Sequence, residues 1–458
     1  MLERPENRRN NMQVVDLDML VPQDHLLRKI DQLLDFDYIY DLVGHLYSSD
    51  VGRPAVDPVV LFKIVFIQHL FGIRSLRQTV QEVDMNIAYR WFLGLDLTTK
   101  VPHFSTVSYA FATRFPSETF ERVFEWILEE AVLRGCVDPQ TVFIDATHVK
   151  ANANRKKRTK MLAKKTAKVY DEQLREEINE DRAKHGKKPF EPKDDDDDEV
   201  EVTKSTTDPD CGLFQKGEHK VEFAYTSHVA CDKRNFVLEC EVTPGNVHDS
   251  TIFDAVYDSL VERFPEIETV TVDAAYKTPW ICKKIIDDGR NPSMPYKRPM
   301  SKKGFYRPYE YVYDEYYNCV ICPHNHVLPY STTDRNGYRI FKSDPKVCAV
   351  CPGLSQCTES KTHQKTVTKH IWADYVEQAE DFRHSPAGKD SYSKRGETIE
   401  RVFADAKEKH GMRYTLHRGL VRVRNWTKLK FAAMNLKKLA LWVFRDPFGR
   451  LLFVQFAA

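Results

Sequence analysis

"QTVFIDATHVKANANRKKRTK", residues 140–160, places an acid at the tip of an apolar run and follows it with a cationic arm. Val142, Phe143 and Ile144 read as a short buried strand that ends on Asp145. A second stretch repeats the plan. Where "VFIDATH" (142–148) delivers Asp145, "VTVDAAY" (270–276) delivers Asp273, again followed by alanine. If the two strands are neighbours in one sheet, their carboxylates emerge side by side. Two carboxylates that close repel, and one keeps its proton unless a cation lies between them. An all-oxygen, carboxylate-rich site with room for water suits Mg²⁺ or Mn²⁺.

A third carboxylate comes from "SYSKRGETIERVFADAKEKHGMRY" (391–414). Ile399, Val402, Phe403 and Ala406 form the apolar stripe of a helix that Gly411 ends. Glu400 flanks that stripe, and Lys407 lies about two turns further along the same face. That spacing directs Glu400 at the metals and Lys407 at a phosphate.

Outward from these motifs the chain divides by pattern. Residues 1–135 read as an all-α domain. In "DPVVLFKIVFIQHLFGI" (57–73), Asp57-Pro58 starts a helix and Gly72 stops it. "SLRQTVQEVDMNIAYRWFLGL" (75–95) spaces Leu76, Val80, Val83, Ile87 and Trp91 as one helix capped by Ser75. It fits the second half of a helix-turn-helix or a plain core helix equally well. Strands resume with "VEFAYTSHVACD" and "NFVLECEVTP", joined by a hairpin at Asp232–Asn235. These make an α/β domain over 136–300 and 385–445. It is interrupted by a charged insertion at 155–220, read as a basic helical segment followed by a disordered acidic run, and by a cysteine-rich insert at 301–384.

The net charge of +1 conceals segregation. His148 to Lys168 holds nine Lys/Arg and no acid, Asp194 to Glu199 is "DDDDDE", and Arg418 to Arg450 holds nine Lys/Arg against Asp446 alone. Such blocks suit a protein that meets a polyanion on selected faces, although a solvated helix surface gives the same signal. Lys150, Arg155, Lys156, Lys157 and Arg158 are the expected grips on such a polyanion's phosphates beside the metal site, with Asn152 and Asn154 adding neutral hydrogen bonds. No apolar run is long enough to span a bilayer, and the charged N-terminus has no apolar core for a secretion signal, so a cytoplasmic protein is expected. In "GNVHDS" (245–250), His248 and Asp249 end a strand and read either as support for the metal site or as a plain turn.

With these motifs in hand, the chain from about Leu20 to Leu441 resembles the DDE transposases of bacterial insertion sequences. Members carry a first Asp in a D-x-T context, here Asp145-Ala146-Thr147, and a second in V-D-A-x-Y, here Val272 to Tyr276. Their last signature is Tyr, two residues, Arg, three residues, Glu, six residues, Lys. Tyr392, Arg395, Glu400 and Lys407 match it except that four residues separate Arg395 from Glu400. One extra residue turns a continuous helix by roughly 100°, which puts the role of Arg395 in question. Glu397 is the rival acid, but Ala404 then falls where the Lys belongs. "MNLKKLAL" (434–441) adds to the likeness.

The resemblance implies an RNase H-like mixed sheet flanked by helices. It further implies Asp145, Asp273 and Glu400 as ligands of two Mg²⁺ or Mn²⁺, and Tyr392, Arg395 and Lys407 on DNA. The substrates are then double-stranded DNA, as inverted-repeat ends and as target, with residues 1–135 binding DNA ends, pairing protomers, or both, and the working form a homodimer on DNA. The implied reaction is strand cleavage followed by transfer of the 3′ hydroxyl. A domesticated DNA-binding protein without catalysis and a nuclease without strand transfer are the alternatives.

Five of the ten cysteines, Cys319, Cys322, Cys348, Cys351 and Cys357, fall within 39 residues. Two C-x-x-C pairs resemble a zinc ribbon, in which thiolates hold Zn²⁺ and organise a piece too small to fold alone. His324 and His326 are alternates. The related transposases with such an insert imply Cys322, Cys348, Cys351 and Cys357 as the ligands, with Cys319 spare.

Overall fold

The computed structural model describes residues 14–48, 54–164, 170–191, 199–216, 220–298 and 302–444. Helices fill the first third. In the Pro58–Leu70 helix the Asp57 carboxylate accepts the Val59 N–H at 2.7 Å and Pro58 takes the first position, where no N–H is needed. Gly72, at φ +65°, ends it. Any Cβ there would stand 2.3 Å from the Lys409 carbonyl oxygen, so the glycine also permits a close approach to the C-terminal helices. The expected single helix from Ser75 is two, Leu76–Met85 and Ile87–Phe92. Asn86 breaks it: its backbone is extended and its side chain caps the Tyr89 N–H, which competes with helical continuation.

The main sheet is built from β1 (Thr141–Lys150), β4 (Gly212–Lys216), β5 (Lys220–Asp232), β6 (Val237–Pro244), β7 (Thr269–Val272) and β8 (Asn291–Ser293). β5 pairs antiparallel with β1 on one side and with β4 and β6 on the other. β7 and β8 continue beyond β1 in parallel. The hairpin from β5 to β6 turns at Asn235, φ +66°, where Asp232 accepts the N–H groups of Arg234 and Phe236. Burial pushes that carboxyl up to about 6 even so.

The 24-residue Leu420–Val443 helix wedges this sheet against the N-terminal helices, packing on Ser117–Leu133, Pro58–Leu70, Leu26–Leu33 and β6. Asn435 exchanges both amide hydrogen bonds with the Val237 backbone, where the β5–β6 register shifts. Lys428, 2 % exposed, is clamped between Glu121 and Glu239. One apolar core therefore runs through the helical region and the sheet.

The insertion after β1 departs from expectation. The basic stretch is not a helix: it forms β2 (Arg158–Lys164), antiparallel to β3 (Glu199–Ser205). The insertion's helix is Asp171–Lys184, which buries Leu174, Ile178 and Asp181 on one stripe. Asp181 pairs with Arg339 at 2.7 Å and accepts the Thr333 hydroxyl, docking this helix on the cysteine-rich region. The acidic run lies outside the described residues, apart from Glu199.

The cysteine-rich insert is an antiparallel sheet of five strands, β9 (Val312–Asp314), β10 (Cys319–Ile321), β11 (Val327–Thr333), β12 (Tyr338–Lys342) and β13 (Thr366–His370), in the order β13-β12-β11-β10-β9. It is larger than the ribbon read from the two C-x-x-C pairs.

Candidate active site

Parallel pairing of β1 with β7 sets Ile144 opposite Val272, so the next residue on each strand is an aspartate, Asp145 beside Asp273. The Asp145 side chain is 17 % exposed and accepts a 2.6 Å hydrogen bond from Arg395 Nη2 and a 2.7 Å bond from the Ala146 N–H. Burial nevertheless raises the Asp145 carboxyl above the ordinary range; Arg395 opposes the rise and the Asp273 charge adds to it. Asp273 accepts the Ala275 N–H at 2.8 Å, which fixes its turn.

Arg395 takes a position the spacing argument did not foresee. It sits on a 3₁₀ turn, Lys394–Gly396, and the Ile399–Glu408 helix begins only after Thr398 leaves helical geometry at ψ −100°. With no continuous helix between them, the extra residue causes no 100° rotation relative to Glu400. The guanidinium is buried against Asp145 rather than presented to solvent for DNA, and its Nη1 has no partner among the described residues.

Glu400 is exposed on the first turn of its helix, and a Cβ on Gly396 would stand 3.9 Å from its carboxylate. Tyr392 links it electrostatically to the other acids. Burial raises the Tyr392 phenol, and the charges of Asp273, Asp145 and Glu400 raise it further. Among the described residues no three His, Cys, Asp or Glu side chains converge tightly enough to hold an ion as they stand. The two aspartates are neighbours, Glu400 faces solvent nearby, and the cation beside Asp145 is Arg395.

The expected DNA grips divide. Arg155, Lys156, Lys157 and Arg158 are exposed on the turn that leads into β2. Lys150 is exposed at the end of β1, 4.0 Å from Glu222. Asn152 is committed to the fold: its amide donates to the Leu416 carbonyl and accepts from the Tyr414 hydroxyl. Asn154 accepts the Lys156 N–H and shapes the basic turn. Lys407 lines a groove of about 670 Å³ between the N-terminal helices and the 407–417 segment, with Arg74, Arg413, Tyr414, Trp426 and Lys430.

In the insert, Cys322, Cys348, Cys351 and Cys357 line one cavity of about 20 Å³, together with His324 and His326. Cys319 does not line it and is buried within β10. No disulfide joins the cysteines. The His326 N–H points at Cys322 Sγ (3.4 Å), and the Tyr311 hydroxyl lies 3.2 Å from Cys357 Sγ. Polar hydrogens aimed at sulfur suit thiolate donors.

Two family models match the chain: "Transposase domain (DUF772)" over residues 15–113 and "Transposase DDE domain" over residues 321–440. No curated protein matches it. The first match falls on the helical region, and the second on the cysteine-rich sheet and the helices that follow it. Together the two matches support an insertion-sequence DDE transposase. Glu400, Lys407 and the four cavity cysteines fall inside the DDE match; Asp145 and Asp273 lie in the unmatched span between the two. No helix among the described residues is long and apolar enough to cross a membrane.

Proposed function

We propose that this chain performs divalent-metal-dependent strand cleavage at the ends of an insertion sequence and joins the freed 3′ hydroxyl to target DNA. The observation that carries the reading is the emergence of Asp145 and Asp273 from adjacent parallel strands. The run β6-β5-β1 in antiparallel, extended by β7 and β8 in parallel, supports an RNase H-like sheet.

Asp145, Asp273 and Glu400 would hold two Mg²⁺ or Mn²⁺, an all-oxygen donor set that suits hard cations. When bound, such a pair activates the attacking oxygen and stabilises the leaving oxygen of an in-line displacement. The chain's own residues prepare for this. Arg395 orients the Asp145 carboxylate and opposes the rise that burial imposes on it. Tyr392 stands within electrostatic reach of all three acids. The exposed basic turn at Arg155–Arg158 and the groove holding Lys407 supply phosphate contacts, which give affinity more than sequence choice.

Cys322, Cys348, Cys351 and Cys357 would hold a structural Zn²⁺ whose soft donors suit that metal and leave no place for chemistry. The working form would be a homodimer on DNA in the bacterial cytoplasm, one active site per element end.

The test is a labelled linear DNA ending in the inverted repeats that flank the gene, incubated with full-length protein and Mg²⁺. Nicks at the repeat termini and products joined to target DNA are expected, with both lost in Asp145→Asn, Asp273→Asn and Glu400→Gln. Cleavage without joining would leave a nuclease, and binding with neither reaction a DNA-binding protein.

A further inference from the structure

The His248-Asp249 pair divides into a structural half and an unused half. His248 Nδ1 accepts the Ser250 N–H and lies 2.8 Å from the Ser250 hydroxyl, so this imidazole caps the Asp249–Thr251 turn. Asp249 does none of that capping. Its carboxylate stands 3.9 Å from Nδ1 of His228.

His228 is fully buried in β5, opposite Ala146, the residue after Asp145. Its Nε2 is held by the Thr243 hydroxyl at 2.9 Å, while Nδ1 has no hydrogen-bond partner among the described residues. If the Thr243 hydroxyl donates to Nε2, the proton of the neutral ring lies on Nδ1 and points toward Asp249. Tyr276, three residues past Asp273, is also fully buried with an unpartnered hydroxyl. It feels the Asp249, Asp145 and Asp273 charges together. Arg395 adds the unpartnered Nη1 beside Asp145. Three buried polar groups around these acids thus lack partners in a protein interior where such groups are normally satisfied.

We propose that Asp249 is a fourth carboxylate of the metal site and that His228 is its positioning residue, donating Nδ1–H to the carboxylate. The inference rests on the two-metal reading above and adds to it a ligand from a fourth element, the turn after β6. Charge balance favours it. Four carboxylates and the Arg395 guanidinium leave three negative charges, and a scissile phosphodiester makes four, which two divalent cations neutralise.

The test is Mn²⁺ binding to the full-length protein by calorimetry, with the Mn²⁺-induced rise in Tm as a second readout. Asp249→Asn should weaken binding by about 100-fold, the same loss expected of Asp273→Asn. His228→Gln should weaken it by about 10-fold, the scale of losing a group that orients a ligand. Asp249→Glu should recover part of the loss. The metal-free Tm of Asp249→Asn should not fall, because removing one of several like charges relieves repulsion; a merely structural aspartate would lower it. Wild-type Mn²⁺ affinity in Asp249→Asn, while Asp145→Asn and Asp273→Asn lose it, overturns the fourth ligand and leaves the metal reading intact. Wild-type affinity in all three overturns both.

Discussion

The main sheet and the cysteine-rich insert hold themselves together by different means. The sheet shares an apolar core with the N-terminal helices through the Leu420–Val443 helix, and even that helix's polar residues, Lys428 and Asn435, are buried with partners. The insert has five strands but a core of only Tyr311, Val320, Leu328 and Phe341. So small a core rarely suffices without a staple. Its other supports are the Asp181 contacts to Arg339 and Thr333 and the cavity lined by four thiols. Burial can therefore stabilise the region that bears the carboxylates, while under the proposed function a bound Zn²⁺ would supply what the insert's core lacks. On the proposed function, metal dependence would have two separate origins, one for chemistry and one for folding.

The strongest way to break that contrast is to remove the soft metal. Cys351→Ser, or a zinc chelator, should abolish bound zinc and collapse amide-exchange protection across β9–β13, because binding free energy there is folding free energy. Protection in β1, β5 and β6 should persist, and Cys319→Ser should keep the zinc. A single transition lost everywhere at once would merge the two regions.

The reverse perturbation is Lys428→Met, which leaves the Glu121 and Glu239 carboxylates without their cation. Breaking a buried pair this way costs about 3–5 kcal/mol, read by denaturant unfolding of the main core, with zinc content unchanged. Equal stability of variant and wild type would show that the clamp does not hold the helices to the sheet.

A pH comparison sharpens the picture of the shared core. Burial holds His410 down to about 4, and its Nδ1 lies 2.7 Å from the His69 carbonyl, where the Pro58–Leu70 helix meets the end of the Ile399–Glu408 helix. With the folded pKa below the unfolded value of about 6.5, the unfolded chain takes up the proton first. The stabilisation is whole above that pH and is lost as pH falls toward 4. Asp232, raised to about 6, works in the opposite sense over part of the window. The useful measurement is therefore the stability difference between wild type and His410→Gln, which should shift in the variant's favour by about 3 kcal/mol between pH 7 and pH 4. A difference constant with pH would mean His410 titrates normally.

The smallest effect is expected at Asn152. Asn152→Ala removes its side-chain bonds to Tyr414 and Leu416, costing about 1 kcal/mol by thermal unfolding, with DNA affinity nearly unchanged. Neutralising Arg155–Arg158, by contrast, should weaken DNA binding and lower its salt dependence. A large affinity loss in Asn152→Ala would return that residue to the DNA interface.

Much of this was legible in residue order. Repeated strand-then-aspartate runs made Asp145 and Asp273 recognisable because a strand's apolar run and its polar end are local properties. The Asp57-Pro58 start, the Gly72 stop and the Asp232–Asn235 turn depend on backbone rules that act over a few residues. The break at Asn86 was missed because apolar spacing continues through it, whereas its side chain prefers to cap. β2 was misread because a strand with exposed basic residues shows no apolar alternation, and its partner β3 lies beyond a helix and an acidic run.

Sequence by itself determined which strands end in acids, which cysteines cluster and where the basic arm lies, since each is written in neighbouring residues. Only the tertiary structure decided that Arg395 pairs with Asp145, that Asn152 binds its own chain and that Asp249 faces His228. Those outcomes depend on which distant elements share a face, and solvation and packing across the whole core settle that rather than any local propensity.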